Sequence, residues 1–307
     1  MDIDSVRLNF SPESLRLLNV ILGLIIFGVA LDLRPSDFTK VLRSPKGPIV
    51  GLVAQFICLP AFTFLLTLIL RPEPSIALGM ILIASCPGGN LSNFLTHLAG
   101  GNAALSVTMT GVSTVAAVFM TPLNVSFWGR LNPHTRPILE RVHMDFWALF
   151  FTIVTILLIP MILGMLFRRF FSRAADRLHS PFKYFSIIFF LIFLVLAFGN
   201  NYDIFTQTMH LVAIAVILHN ATALSVGYTF ARLWRLEKRD VRAVCIEVGI
   251  QNSALGLVLI FGFFEGLGGM ALVAGTWGIW HVIVGLPLAY FWSRIPLSDP
   301  AEEGAAA

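Results

Sequence analysis

The sequence predicts an all-α membrane protein. The chain is 57% hydrophobic and only 12% charged over 307 residues, where a soluble globular domain is about 25% charged. Its apolar residues also fall into runs of about 20, the helical length that crosses a hydrocarbon layer of roughly 30 Å. The 27 Phe, 24 Gly and 16 Pro suit helices that face lipid, pack closely and break in places, since neighbouring helices repair the freed backbone groups. Strand-like alternation of the barrel type does not appear.

The first sixteen residues are mixed in charge and lack the basic-then-apolar layout of a signal peptide, so the first apolar run is expected to remain as an anchor. Apolar runs follow at 15–33, 47–70, 76–98, 103–127, 144–167, 182–200, 207–232, 240–264 and 270–293. Nine spans place the termini on opposite sides. Arg34, Lys40, Arg43, Lys46, Arg168, Arg169, Arg173, Arg177, Lys183, Arg232, Arg235, Lys238, Arg239, Arg242 and Arg294 then share one side; Arg7, Arg16, Arg71, Arg130, Arg136 and Arg141 share the other. Positive charge is retained in the cytoplasm, which makes residues 1–14 an extracytoplasmic N-terminus and the C-terminus cytoplasmic. A plasma or inner membrane is the expected location. The tail 295–307 is acidic and Ala-rich and is expected to be disordered. The stretch 134–143 alternates charged and apolar residues, so it lies along the outer interface or forms a solvated loop.

Cys58, Cys86 and Cys245 sit in apolar runs at unrelated spacings, which fits buried free thiols and not a disulfide framework or a zinc site. The net charge of +4 comes from loops between spans, where orientation signals belong, so it does not indicate nucleic acid. No protein partner is implied.

Two of the spans are interrupted by polar and helix-breaking residues: 76–98 contains 85-SCPGGNLSN-93 and 240–264 contains 247-EVGIQNSALG-256. Each is followed by one further span. Each is preceded by a span with polar residues at its middle, Gln55 in the first case and His219 with Asn220 in the second. The order resembles two copies of one unit, the first lacking its first helix. The copies begin five spans apart, so they enter the membrane in opposite senses, as in the inverted repeats of secondary transporters.

Glu247 is the one carboxylate well inside an apolar stretch. A charge at that depth costs at least ~2.5 to 3.5 kcal/mol, so it needs a partner, and a cation is the natural one. Sodium takes about five or six oxygen ligands. Glu247, Ser92, Asn93, Ser106, Thr110, Gln55 and Gln251 supply that set, with the Val248 and Ile250 carbonyls freed by a break near Gly249. A lone membrane Ser or Thr more often bonds to its own helix, and a lone Gln more often joins two helices; the buried acid beside a break is harder to explain without a ligand. His97, His219 and His281 have no metal-ligand spacing and read first as packing or hydrogen-bonding residues. No span contains a deep Lys or Arg, so a bound anion would rely on half-helix N-termini and on side-chain amides such as those of Asn90 and Asn252.

In these residues the chain resembles the bile acid:sodium symporter family. The likeness rests on CPGGNLSN (86–93), ALSVTMTGVST (104–114) and EVGIQNS (247–253), with RPSDF (34–38) and VAQF (53–56) in support. The resemblance implies a panel domain of spans 15–33, 144–167 and 182–200, and a core domain covering 47–127 and 207–293 in which two discontinuous helices cross. It implies two sodium ions behind the crossing: one held by Ser92, Asn93, Ser106, Thr110 and Glu247, the other by Gln55, Glu247, Val248, Ile250 and Gln251. The substrate cavity would lie near Asn90, Asn252 and His281. The chain begins at what would be the second helix of ten-spanning members. The expected function is sodium-coupled symport of an organic anion, bile acid-like or a small carboxylate. Alternatives are a proton-coupled carrier protonated at Glu247, and a ligand sensor that moves nothing. A membrane enzyme is disfavoured, because no paired catalytic carboxylates or activated nucleophile is visible.

Overall fold

The computed structural model describes residues 3–4, 6–7, 12–31, 33, 44–142, 145–178, 181–182, 185, 188, 192 and 202–295. Most of span 182–200, the segment 34–38, the basic residues Arg34, Lys40, Arg43 and Lys183, and nearly all of the tail 295–307 lie outside the described residues. The described chain is all-helical, with isolated bridges and no sheet. Its helices are α1 (Pro12–Ala30), α2 (Lys46–Leu70), α3 (Pro74–Ala84), α4 (Leu91–Leu98), α5 (Ala103–Leu131), α6 (Arg136–Val142), α7 (Phe146–Phe170), α8 (Tyr202–Leu233), α9 (Lys238–Gly249), α10 (Ser253–Phe263) and α11 (Gly268–Ser293).

Five stretches, Lys46–Leu70, Ala103–Leu131, Phe146–Phe170, Val212–Leu233 and Gly268–Ser293, are each long and apolar enough to cross a membrane. Their outward faces stay apolar: Phe62, Leu65, Ile69, Phe119, Phe127, Phe151, Leu163, Ile283 and Phe291 are all exposed. In water such a surface would be unstable; against lipid it is the expected one.

The interrupted spans resolve into two half-helices each. Span 76–98 becomes α3 and α4, and span 240–264 becomes α9 and α10. The interior is assembled around these pieces. α11 packs on α3 and α10, α9 packs on α8 and α5, and α4 sits among α5, α9 and α11. Small residues permit the close approaches: a side chain at Gly227 on α8 would meet Cys245 Cα at 2.9 Å, and one at Gly79 on α3 would meet Met270 Cα at 2.9 Å. α1 lies against α7, where Phe27 and Phe167 stack edge to face at 5.8 Å. At the end of the molecule opposite the basic loops, Asp4 accepts from the Ser75 backbone at 2.8 Å and Val6 O accepts from Gly268 N–H at 2.9 Å, which ties the N-terminal segment to the starts of α3 and α11.

α2 and α7 each contain one turn of π-helix, Ala54–Cys58 and Val154–Leu158. Both turns lie just before a proline, Pro60 or Pro160, which has no N–H to return to the carbonyl four residues back. In α2 that carbonyl belongs to Phe56, and the Asn124 side chain of α5 donates to it at 2.9 Å. The stretch 134–143 contains the short helix α6, anchored by the buried Leu139 and carrying an exposed Arg136–Glu140 ion pair at 2.8 Å. The three cysteines are free, Cys86 and Cys245 buried and Cys58 half-buried.

Candidate functional site

The four half-helices meet end to end. α3 and α9 bring their C-termini to the crossing, and α4 and α10 begin there. The connecting strands pair across it: Gly88 and Gln251 form an antiparallel bridge, Gly89 N–H donates to Ile250 O at 2.6 Å, and Asn252 N–H donates to Pro87 O at 2.9 Å. These bonds satisfy backbone groups that would otherwise be bare at membrane depth. The glycines of the first break are required for room. A Cβ at Gly88 would overlap the Glu247 carboxylate, and one at Gly89 would press on Gln251 O at 2.9 Å. Gly249, the last residue of α9, is pressed in the same way by Leu224 of α8.

Glu247 is fully buried. Ser92 Oγ donates to its Oε2 at 2.5 Å, Thr110 Oγ1 to Oε1 at 2.8 Å, and Ser106 Oγ lies 3.3 Å from Oε2. Two of these hydroxyls are also claimed elsewhere: Asn93 Oδ1 lies 2.8 Å from Ser106 Oγ and 3.1 Å from Thr110 Oγ1, and Ser106 O lies 3.0 Å from Thr110 Oγ1. Each hydroxyl carries one proton. The cluster therefore has more acceptor oxygens than protons to serve them, which is the chemistry of a hard-cation site. The side chains of Ser92, Asn93, Ser106, Thr110 and Glu247 all meet in this cluster.

A second group lies next to it. Gln55, in the π turn of α2, donates from Nε2 to Cys86 O at 2.8 Å and to Gln251 Oε1 at 2.7 Å. Gln251 Nε2 donates to Val248 O at 2.6 Å. Gln55 Oε1 is buried without a hydrogen-bond partner, so an acceptor stands ready where a cation would need one. The break alone does not leave its carbonyls bare. Ile250 O is taken by Gly89 N–H, and Gly249 O by Asn220 Nδ2 at 2.8 Å; each keeps a second lone pair. Cys86 O is not among the groups that the sequence pattern singles out, although any helix end leaves orphan carbonyls and it follows the last turn of α3.

The anion-facing candidates are more scattered. Asn252 Oδ1 accepts from Leu255 N–H at 3.1 Å and so caps α10, leaving its Nδ2 as the donor. Asn90 precedes α4, half-buried and with no capping bond from its side chain. His281 is buried in α11 with Nδ1 unpartnered, one turn before Gly285, which faces Leu95 of α4 and Ile250. No hydrogen bond joins these three among the described residues. His219 bonds Thr63 Oγ1 at 2.9 Å and packs against Trp277 in a tilted contact with ring centres 4.6 Å apart, and His97 is exposed.

The model of the sodium bile acid symporter family matches residues 19–208, a stretch that includes Gln55, Ser92, Asn93, Ser106 and Thr110. A Bacillus subtilis protein named as an uncharacterized sodium-dependent transporter is 32% identical over 277 residues, 90% of this chain and 83% of that protein. A probable chloroplastic sodium/metabolite cotransporter of Arabidopsis thaliana is 30% identical over 89% of this chain and 66% of its own length. Sodium/bile acid cotransporter 4 of Mus musculus is 30% identical over 78% of this chain, which spans 55% of that protein. These relatives are named as transporters and not as enzymes. The chain is a multi-pass membrane protein that belongs to the sodium bile acid symporter family, whose chemistry is sodium-dependent transport.

Proposed function

We propose that the protein is a sodium-coupled symporter that moves an organic anion, bile acid-like or a small carboxylate, by alternating access. The observation that carries this reading is the buried Glu247 carboxylate in a cluster with more acceptor oxygens than hydroxyl protons, at the crossing of two broken helices. Two Na⁺ bind there. The first takes Ser92, Asn93, Ser106, Thr110 and Glu247; the second takes Gln55, Glu247, Gln251 and the Val248 and Ile250 carbonyls, and the orphan Gln55 Oε1 supports it. With both ions in place the connecting strands are held fixed. The anion then meets the N-termini of α4 and α10, each worth roughly half a positive charge, with the Asn90 and Asn252 amides and His281 alongside.

The wider architecture follows the same logic. The chain makes nine spans, with an extracytoplasmic N-terminus and a cytoplasmic C-terminus in the plasma or inner membrane. Spans 15–33, 144–167 and 182–200 form a panel, 47–127 and 207–293 form the core, and the core rocks against the panel. The inverted repeat is supported by the matching order of α2, α3, α4 and α5 with α8, α9, α10 and α11. With two Na⁺ per monovalent anion one net charge enters per cycle, so a membrane potential of about 100 mV contributes about 2.3 kcal/mol.

The test is a thermal-shift screen of candidate anions with and without sodium, followed by uptake into proteoliposomes. An anion that stabilises the protein only when Na⁺ is present is the expected result, and Glu247→Gln should abolish that sodium response. Uptake that follows a pH gradient and ignores sodium would overturn the reading in favour of a proton-coupled carrier. Sodium-dependent binding with no flux would point to a sensor.

A further inference from the structure

The polar surface around Glu247 continues beyond the ion cluster. On α9, Asp240 lies seven residues before Glu247 and so on the same helical face, about 10 Å away along the axis. The fully buried Ala243, a small residue, lies between them. On α5 the cap Asn102 is followed at one-turn intervals by Ser106 and Thr110, two members of the cluster. On α4, Thr96 follows Ser92 by one turn. These three helices pack against one another, so their polar stripes run side by side from the cluster to the end of the molecule that carries the basic loops.

At that end Asn102 Nδ2 donates to Asp240 Oδ1 at 2.8 Å, and Asn102 N–H donates to Arg239 O at 3.0 Å. Beside the pair is a cavity of about 160 Å³ lined by Asp240, Asn102, Thr108, Ser44, Ala104 and Gly47 among others. Thr108 gives its proton to Ala104 O at 2.7 Å, so its oxygen lone pairs remain as acceptors. Two nearby cations are turned onto backbone carbonyls, Lys46 toward Arg235 O at 3.3 Å and Arg242 toward Ala99 O at 2.6 Å. On α4 the Thr96 hydroxyl is fully buried and has no hydrogen-bond partner; it lies one turn past Ser92 in the direction of the Asp240 end, and Thr96 O accepts from the N–H of Gly101, the residue before Asn102.

We propose that Asp240, Asn102 and the Thr96 hydroxyl form a staging site for sodium on the face of the basic loops, through which the ion leaves the Glu247 cluster. The inference rests on the sodium-site reading above and adds the route by which that site empties. Thr96 supplies an oxygen one turn below Ser92. Asp240 then compensates the hydration that the ion has not yet regained, and the cavity opens to water.

The experiment uses the full-length protein in proteoliposomes of defined orientation, with ²²Na⁺ presented to one face at a time. Asp240→Asn preserves shape and a hydrogen-bonding partner for Asn102 but removes the charge. It should raise the half-saturating sodium concentration on the basic-loop face about three- to tenfold and leave the opposite face unchanged, and Asp240→Glu should restore the wild-type value. Thr96→Val breaks no hydrogen bond, and it should slow ²²Na⁺ release on the same face with unchanged thermal stability in sodium-free buffer. Equal effects on both faces, or none on either with wild-type stability, would overturn the staging site. A wild-type protein that shows no sodium response on either face would instead overturn the Glu247 reading itself.

Discussion

Gln55 and Asn220 occupy matching places before the two broken helices. Gln55 Nε2 donates to Cys86 O at 2.8 Å beyond the end of α3, and Asn220 Nδ2 donates to Gly249 O at 2.8 Å at the end of α9. Each amide ties a helix C-terminus to the intact helix ahead of it, so the two breaks are supported in the same way. Both amides are buried, and removing one leaves a buried carbonyl with its desolvation cost, about 1 to 3 kcal/mol.

Asn220 separates support from ligation. Its carbonyl partner lies between Val248 and Ile250, whose own carbonyls are proposed ligands. Asn220→Ala should lower the melting temperature and raise the half-saturating sodium concentration several-fold, with anion affinity at saturating sodium unchanged. Sodium-titrated uptake beside melting curves decides it. A lower melting temperature with an unaltered sodium titration would make the contact purely structural.

Gly88→Ala tests the closeness of the crossing. The added methyl would overlap the Glu247 carboxylate, and the opposing strand cannot withdraw without losing the Gly89–Ile250 and Asn252–Pro87 hydrogen bonds. The variant should fold with reduced stability and lose sodium-dependent stabilisation. Gly262→Ala on α10 is the control, because a Cβ there has nothing within 4 Å, and it should behave as wild type in the same thermal-shift assay.

Much of this is legible in the sequence because the membrane makes polar residues costly. Glu247, Ser92, Asn93, Ser106 and Thr110 stand out where apolar residues are the rule, and they do converge. The breaks are legible from Pro87, Gly88, Gly89 and Gly249. The purpose of the glycines is not, since close approach depends on a strand from the other half of the chain and leaves no local mark. Carbonyl ligands are the least legible. Every residue has one, and only the fold reveals that Gly89 occupies Ile250 O while Gln55 reaches Cys86 O. The π turn of α2 belongs to the same class: Pro60 announces a disturbed helix, but not that Gln55 falls within it.

The π turn leads to a stability prediction that needs no sodium. Pro60 orphans Phe56 O, and Asn124 repairs it from α5. Asn124→Ala should cost about 1 to 3 kcal/mol. Pro60→Ala alone should be nearly neutral in its hydrogen bonding. The double variant should recover part of the loss, because an alanine in place of Pro60 supplies the N–H that proline lacks. A double-mutant cycle on melting in detergent measures the coupling; strict additivity would mean that the two residues do not serve the same carbonyl.

Thr110 and Thr114 give the sharpest comparison, since they lie one turn apart on α5. Thr114 Oγ1 donates back to its own helix, to Thr110 O at 2.7 Å, which is the ordinary fate of a membrane threonine. Thr110 Oγ1 reaches across to Glu247 Oε1 at 2.8 Å. Valine replaces either side chain with nearly the same shape and removes only the oxygen. Thr114→Val should leave the sodium dependence of uptake within about twofold of wild type, because its oxygen faces its own backbone. Thr110→Val removes both a ligand and a proton donor to the buried acid, and a lost hydrogen bond to a charged group is worth about 1.5 to 3 kcal/mol. The half-saturating sodium concentration should therefore rise at least about tenfold, with maximal uptake recovered at high sodium. Equal behaviour of the two variants would mean that Thr110, like its neighbour, only serves the helix.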